Sequence, residues 1–186
     1  YNKKPCEECL TKGYRTCIKK RCVKGSLFAS VVRVFSMKVH KAMNVYKGVD
    51  AFITPSEFLK KKLIENGFDE NKITCIPTFT ASKSEVGKPQ VGTYGLYFGR
   101  VTEEKGVDTV VKAYEMMPDR HVKIMGDDTT DEAKRLKAYI KEKKIQNVEF
   151  LGFKAGEELE EIIKGARFTL IPSIWYDNLP NTALES

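Results

Sequence analysis

The stretch YFGRVTEEKG, Tyr97–Gly106, decides the fold. It reads as the end of a strand over Gly95–Phe98, a stop at Gly99–Arg100, a short turn, and a helix opening at Lys105–Gly106. That geometry sets two cations, Arg100 and Lys105, over one crevice at the carboxyl end of a strand, where open α/β sheets bind their ligands. From Thr93 onward the alternation repeats. Strands are expected over Gly95–Phe98, His121–Met125, Val148–Leu151 and Phe168–Ile171, and helices over Gly106–Met117, Asp131–Lys144 and Glu157–Lys164. Apolar residues recur at helical spacing, as in Val107, Val110, Val111 and Tyr114, or Leu136, Tyr139 and Ile140. Such alternation calls for an α/β class, a Rossmann-like parallel sheet with helices on both faces.

Upstream, Ala51–Thr54 reads as a strand, Ser56–Asn66 as a helix capped by Ser56 and closed by Gly67, and Ile73–Ile76 as a strand ending at Pro77. Ala81–Gly92 is a polar run containing Ser82, Ser84, Gly87, Pro89 and Gly92, a loop by composition. The expected division is a first unit over 1–76 with a Cys-rich loop at 6–22, a linker over 77–92, and a second unit over 93–186. Pro180 suits the first position of a helix, yet fewer than two turns follow it. Isolated helices need about 12–15 residues, so the chain is expected to be a portion of a longer protein.

With 186 residues and 41% hydrophobic content the composition is that of a globular protein. The most apolar region, Leu27–Tyr46, is interrupted by Arg33, Lys38, His40 and Lys41, so no bilayer span is expected there. The net charge of +7 is uneven: Tyr1–Asp50 holds twelve Lys and Arg against three acids, and the remainder is slightly acidic. A basic front suits an anionic partner such as a membrane surface, nucleic acid or an acidic acceptor.

A second stretch, PSIWYDNLPNTALES at Pro172–Ser186, supplies a strand end, a turn with Asp177, and a proline-initiated helix carrying Glu185. Taken singly, Arg100 and Lys105 fit solvated surface cations, and Asp177 and Glu185 fit a turn acid and a helix-surface acid. A lysine at a helix start opposes the helix dipole, however, and calls for an anion. Fixed cations and helix-end amides suit phosphates, and carboxylates suit hydroxyls. No Walker motif, Gly-x-Gly-x-x-Gly, Ser-His-Asp triad or HExxH is present.

In this order and separation the two stretches resemble the donor-binding domain of the retaining glycosyltransferases of family 4, whose architecture of two Rossmann domains is called GT-B. The resemblance implies that 1–76 is the end of the acceptor domain and 93–186 the donor domain, both incomplete. It implies that Arg100 and Lys105 bind the donor diphosphate and stabilise it as it departs. It implies that Asp177 lies near the transferred sugar and that Glu185 accepts from the ribose hydroxyls; the first acid is usually Glu in the family, and this chain has Asp. Amides around Leu179, Asn181 and Thr182, with Asn178 beside them, are expected to meet the distal phosphate. Gly99, Gly126 and Phe153–Lys154 would complete the crevice. The implied activity is transfer of a hexose-type sugar, with retention and no obligatory metal, from a nucleoside diphosphate sugar to a glycan or lipid-linked acceptor. Polysaccharide or cell-envelope biosynthesis, a cytoplasmic location with peripheral contact at the inner face of the membrane, and no nucleic-acid partner follow from the same resemblance.

Cys6, Cys9, Cys17 and Cys22 form C-x2-C-x7-C-x4-C, while Cys75 lies apart. Four thiols in a short basic loop suit a structural zinc with no open position, and neighbouring Lys and Arg would favour thiolates. Free thiols and disulfides are the other readings. The loop also resembles an insertion in some bacterial members of the family. Leu27–Lys47 is amphipathic, with Phe28, Val31, Val32, Phe35, Val39, Met43 and Tyr46 on one face, expected to pack into a core or, failing that, to rest on anionic lipid. The competing reading of the whole chain is a non-catalytic module whose basic four-cysteine element binds nucleic acid or membrane on an α/β scaffold. It gives no reason for Arg100, Lys105, Asp177 and Glu185 to occur together.

Overall fold

The computed structural model describes residues 5–79 and 92–186, which separate into two compact units divided between Thr78 and Phe79. Most of the linker expected over 77–92 lies outside the described residues.

The first unit begins with two short helices, α1 (Glu8–Lys12) and α2 (Arg15–Lys19), followed by α3 (Leu27–Ala42). Ser26 caps α3 by accepting from the Ala29 amide. A parallel pair follows, β1 (Phe52–Thr54) and β2 (Ile73–Cys75), joined by α4 (Glu57–Glu65), which Ser56 caps through the Leu59 amide. The core expected for the apolar face of α3 is not found. Only Ser30 and Val34 are buried, whereas Phe28 is 79% and Phe35 68% exposed. Two strands of three residues offer too little apolar surface to cover a sixteen-residue helix.

The second unit alternates β3 (Tyr94–Phe98), α5 (Val107–Glu115), β4 (Val122–Met125), α6 (Asp131–Lys143), β5 (Val148–Gly152), α7 (Glu157–Lys164) and β6 (Ala166–Thr169), and ends in α8 (Asn181–Leu184). Its four strands form one parallel sheet in the order β5-β4-β3-β6. Side chains alternate across the sheet, so each face carries its own core. Tyr97, Val122 and Ile124 pack with Val107, Val110, Val111 and Tyr114 of α5 and with Ala133 and Leu136 of α6. On the other face Leu96, Phe98 and Met125 pack against Leu159, Ile162 and Ile163 of α7. Helices therefore cover both faces, as the alternation in sequence requires.

Asn147, just before β5, is 5% exposed, and its side-chain amide lies 2.6–2.9 Å from the carbonyl oxygens of Tyr114, Met117 and Arg120. It satisfies the carbonyls at the end of α5 and ties that end to the sheet. The last strand starts two residues before the expected Phe168 and ends at Thr169. Its register against β3 slips by one residue, Tyr94 facing Ala166 and Gly95 facing Phe168. As an edge strand its outer face stays wet, so Phe168 is 49% exposed and gives no alternation to read. Among the described residues no helix is long and apolar enough to cross a membrane.

Candidate functional site

Strands β3, β4 and β5 reach glycines at their carboxyl ends, Gly99, Gly126 and Gly152, with a register shift between β4 and β5 that sets Gly152 opposite Met125. The Gly99 amide donates to the Met125 carbonyl at 3.0 Å, and the Gly126 amide to the Gly152 carbonyl at 2.9 Å. A Cβ on Gly126 would fall 2.0 Å from the Gly99 oxygen, so the two backbones meet only because Gly126 has no side chain. Immediately after Gly99 the Tyr97 hydroxyl turns back and donates to the Arg100 carbonyl at 2.6 Å. Burial, and after it the charge of Asp177, raises the Tyr97 phenol far above its ordinary pKa, so this donor keeps its proton. The Thr130 hydroxyl holds the next carbonyl, Val101, at 2.7 Å. The backbone that presents Arg100 is thus fixed on both sides.

Lys105 does not lie in the first turn of a helix. It ends a 3-10 turn over Glu103–Lys105, and Gly106, at φ 70°, redirects the chain into α5. A Cβ there would fall 2.1 Å from the Pro172 oxygen. This close approach brings the segment after β6 against the turn, where the Ile174 amide donates to the Glu104 carbonyl at 3.0 Å. Across the contact the Lys105 ammonium meets the Asp177 carboxylate at 2.5 Å, with the two side chains 17% and 18% exposed, and sits 5.6 Å over the Trp175 ring. Asp177 also accepts from the Ser173 hydroxyl at 2.7 Å. Burial alone would raise its carboxyl pKa; the Lys105 and Ser173 hydrogen bonds and the Lys105 charge outweigh burial and hold it below the usual range.

These elements enclose a cavity of about 340 Å³ lined by Gly99, Arg100, Lys105, Ser173 and the segment Asp177–Thr182. Arg100 is exposed along it and has no ion-pair partner among the described residues. Arg100, Lys105, Asp177, Gly99, Asn178, Leu179, Asn181 and Thr182 are therefore brought together. Gly126 stands behind Gly99. Phe153, 76% exposed, and Lys154, paired with Glu158 at 2.6 Å, follow β5 and do not line the cavity. Glu185 is exposed just past α8 and does not line it either. Tyr97 and Ser173 are the supporting residues that sequence reading passed over. A tyrosine one step before Phe-Gly, on the face that buries Tyr114, was the available signal for the first; Ser173 had none. A larger hollow, about 410 Å³, lies along α6 and β5 between Lys137 and Phe150, away from the strand ends and without a carboxylate.

Because Asp177 has a lowered pKa when folded, its proton linkage has a definite sign. The folded state binds fewer protons at this group than the unfolded state, so the pair adds stability above the unfolded pKa of about 4 and loses it as pH falls through the lower folded value. In denaturant unfolding, wild type is expected to exceed Asp177→Asn in stability at pH 7, and the difference should shrink as pH falls below about 4. A pH-independent difference would contradict the pairing.

The four amino-terminal cysteines are free thiols. The lowering expected from nearby Lys and Arg is not seen: burial first, and the neighbouring Cys22 next, raise the Cys9 and Cys17 thiols. Among the described residues no three His, Cys, Asp or Glu side chains are close enough around one point to hold a metal ion.

Residues 79–186 match the family model described as Glycosyl transferases group 1. No curated protein matches the chain by sequence at a significant level. Among solved structures, the chain is similar to the apo form of the lipopolysaccharide outer core galactosyltransferase WaaB, with 22% identity over 74% of this chain and 40% of that one, at a TM-score of 0.58. It is similar to Anabaena Alr3699/HepE in complex with UDP and glucose, with 18% identity over 74% and 41% of the two chains and a TM-score of 0.61. The third is sucrose-phosphate synthase from Thermosynechococcus elongatus, with 20% identity over 74% and 38% and a TM-score of 0.59. The chain thus spans about two fifths of the length of these structures.

Proposed function

Since the chain belongs to the group 1 glycosyl transferases, we propose that the cavity at Gly99–Lys105 takes the diphosphate of a nucleoside diphosphate sugar, and that the full-length protein transfers the sugar, with retention, to a glycan or lipid-linked acceptor. The observation that carries this reading is the convergence of Arg100, Lys105 and Asp177 on one cavity at the carboxyl ends of parallel strands. HepE, whose fold this chain shares, is a complex with UDP and glucose, and a uridine diphosphate hexose is the corresponding donor here.

The chemistry asked of the site is electrostatic. As the bond between the sugar and the diphosphate breaks, negative charge gathers on the leaving oxygens, and fixed cations that need no reorganisation lower that barrier most. Arg100 supplies a charge that no carboxylate among the described residues neutralises. Lys105 supplies a second, held in place by Asp177 and Trp175, and the arriving diphosphate competes with Asp177 for it. The exchange leaves Asp177 next to the donor's sugar end, where a carboxylate accepts from hydroxyls. Glu185 as ribose acceptor rests on the family resemblance, and would require α8 to present it to the cavity.

Calorimetric titration of the full-length protein with a panel of nucleoside diphosphates and their sugars tests the reading. One base is expected to bind, and Arg100→Ala to weaken it at least tenfold while leaving the fold intact. No binding of any nucleotide by the folded protein would remove the donor-site assignment.

A further inference from the structure

The segment between β6 and α8 leaves large apolar side chains in water beside the cavity. Trp175 is 39% and Tyr176 52% exposed, and Ile171 and Ile174 are exposed with them. Ser173 and Asp177, which line the cavity, stand on either side of this patch in sequence. Exposed apolar surface next to a polar cavity marks a place of contact. The backbone under Trp175 is fixed on both sides. The Ile174 amide donates to the Glu104 carbonyl at 3.0 Å, and the Asp177 amide donates to the carbonyl of Trp175 itself at 2.9 Å. The ring is therefore carried by the same turn, Glu103–Lys105, that presents the lysine.

What the ring faces is that lysine. The Lys105 ammonium sits over the Trp175 ring, 5.6 Å from its centroid, and reaches the Asp177 carboxylate at 2.5 Å. One cation thus covers two groups of different character, an aromatic face and a carboxylate, two residues apart. Lys105 lines the cavity, whereas Trp175 does not. Both contacts are electrostatic and exchangeable. A diphosphate carries more negative charge than one carboxylate, and once it holds the ammonium, both the ring face and the carboxylate are uncovered. An aromatic face beside a carboxylate is the pair of surfaces that suits a pyranose: the C–H groups of one sugar face pack on the ring, and the hydroxyls at its rim donate to the carboxylate.

Resting on the donor-site reading, we infer that Trp175 is the platform for the donor's sugar ring and that Lys105 is its cover. In the empty site the ammonium masks the platform, so a free sugar finds no surface to bind. The diphosphate of the donor draws the ammonium away and opens the subsite for the sugar attached to it. Diphosphate and sugar binding are coupled through this one side chain, because the second needs the cation moved by the first. Phenylalanine at position 175 keeps a flat face for the sugar; leucine fills much of the same space without one.

The test titrates full-length wild type, Trp175→Leu and Trp175→Phe with UDP, UDP-glucose and UDP-galactose by calorimetry. Trp175→Leu is expected to bind UDP as wild type does, within about twofold, and to bind the preferred UDP-hexose about tenfold more weakly, the scale of one aromatic contact. Trp175→Phe should regain most of that loss. A second measurement needs no altered sugar site: inorganic pyrophosphate, which has neither base nor sugar, should change the Trp175 fluorescence of wild type, taken as the difference from Trp175→Phe, as the ammonium leaves the ring. Equal weakening of UDP and UDP-hexose by Trp175→Leu, a UDP-hexose affinity that Trp175→Leu does not change, or pyrophosphate binding without a change in Trp175 emission would each overturn the inference and leave the donor site standing. Failure of folded wild type to bind UDP, the UDP-hexoses or pyrophosphate would instead remove the donor-site reading, and the inference with it.

Discussion

Arg100→Ala and Lys105→Ala in the full-length protein are each expected to lower kcat about a hundredfold, the scale of one preorganised electrostatic contact in a transition state. The loss belongs in kcat more than in KM, because charge on the leaving diphosphate grows as the sugar bond breaks and a cation matters more then than in the ground state. The two variants should differ in stability. Arg100 is exposed without an ion-pair partner among the described residues, so its removal should change unfolding free energy by no more than about 0.5 kcal/mol. Lys105 neutralises a carboxylate that is 18% exposed, and its removal strands that charge at a cost of about 1–3 kcal/mol. The double variant Lys105→Ala/Asp177→Asn should recover stability while kcat stays low. Steady-state kinetics beside denaturant unfolding separates these outcomes. Wild-type kcat in both folded single variants would show that the cavity is not the donor site.

Gly106→Ala is expected to be the most damaging small substitution near the site. Alanine at φ 70° costs about 1–2 kcal/mol in itself, and its Cβ would lie 2.1 Å from the Pro172 oxygen, a backbone atom that cannot rotate away. Either α5 or the segment after β6 must shift, and that contact is what sets Lys105 against Asp177. A loss of at least about 3 kcal/mol in stability is expected, with nucleotide binding weakened even where the variant folds. Gly67→Ala is the control. Gly67 closes α4 in the left-handed turn in which the Phe68 amide donates to the Leu63 carbonyl, with a φ of 84° and nothing within 4 Å of the added carbon, so it should lose only the conformational term, about 1–2 kcal/mol. Equal losses in thermal or denaturant unfolding would mean that the approach of Pro172 to Gly106 is not structurally important.

The second unit was legible because its signals are local. Apolar residues at helical spacing in α5 and α6, and the strand-to-turn break at Gly99, follow from the chain's own periodicity, and a parallel sheet is the arrangement that buries such helices on both faces. The order of Arg100 and Lys105 after β3 is likewise a property of ten consecutive residues. Other features are not local. The edge position of β6 removed the alternation that would have fixed its start, and the exposed apolar face of α3 reflects how little surface two three-residue strands present.

The sequence by itself determined the alternating α/β fold, the pair of cations after the first strand of the second unit, and the presence of four cysteines in a basic segment. Only the tertiary structure decided that Lys105 is held by Asp177, that Tyr97 and Ser173 are the groups fixing Arg100 and Asp177, and that Glu185 stands outside the cavity. Lys105 and Asp177 are separated by 72 positions. Periodicity and propensity act over a few residues, whereas this ion pair forms because Gly106 lets one backbone approach another, a contact that exists only once the sheet has assembled.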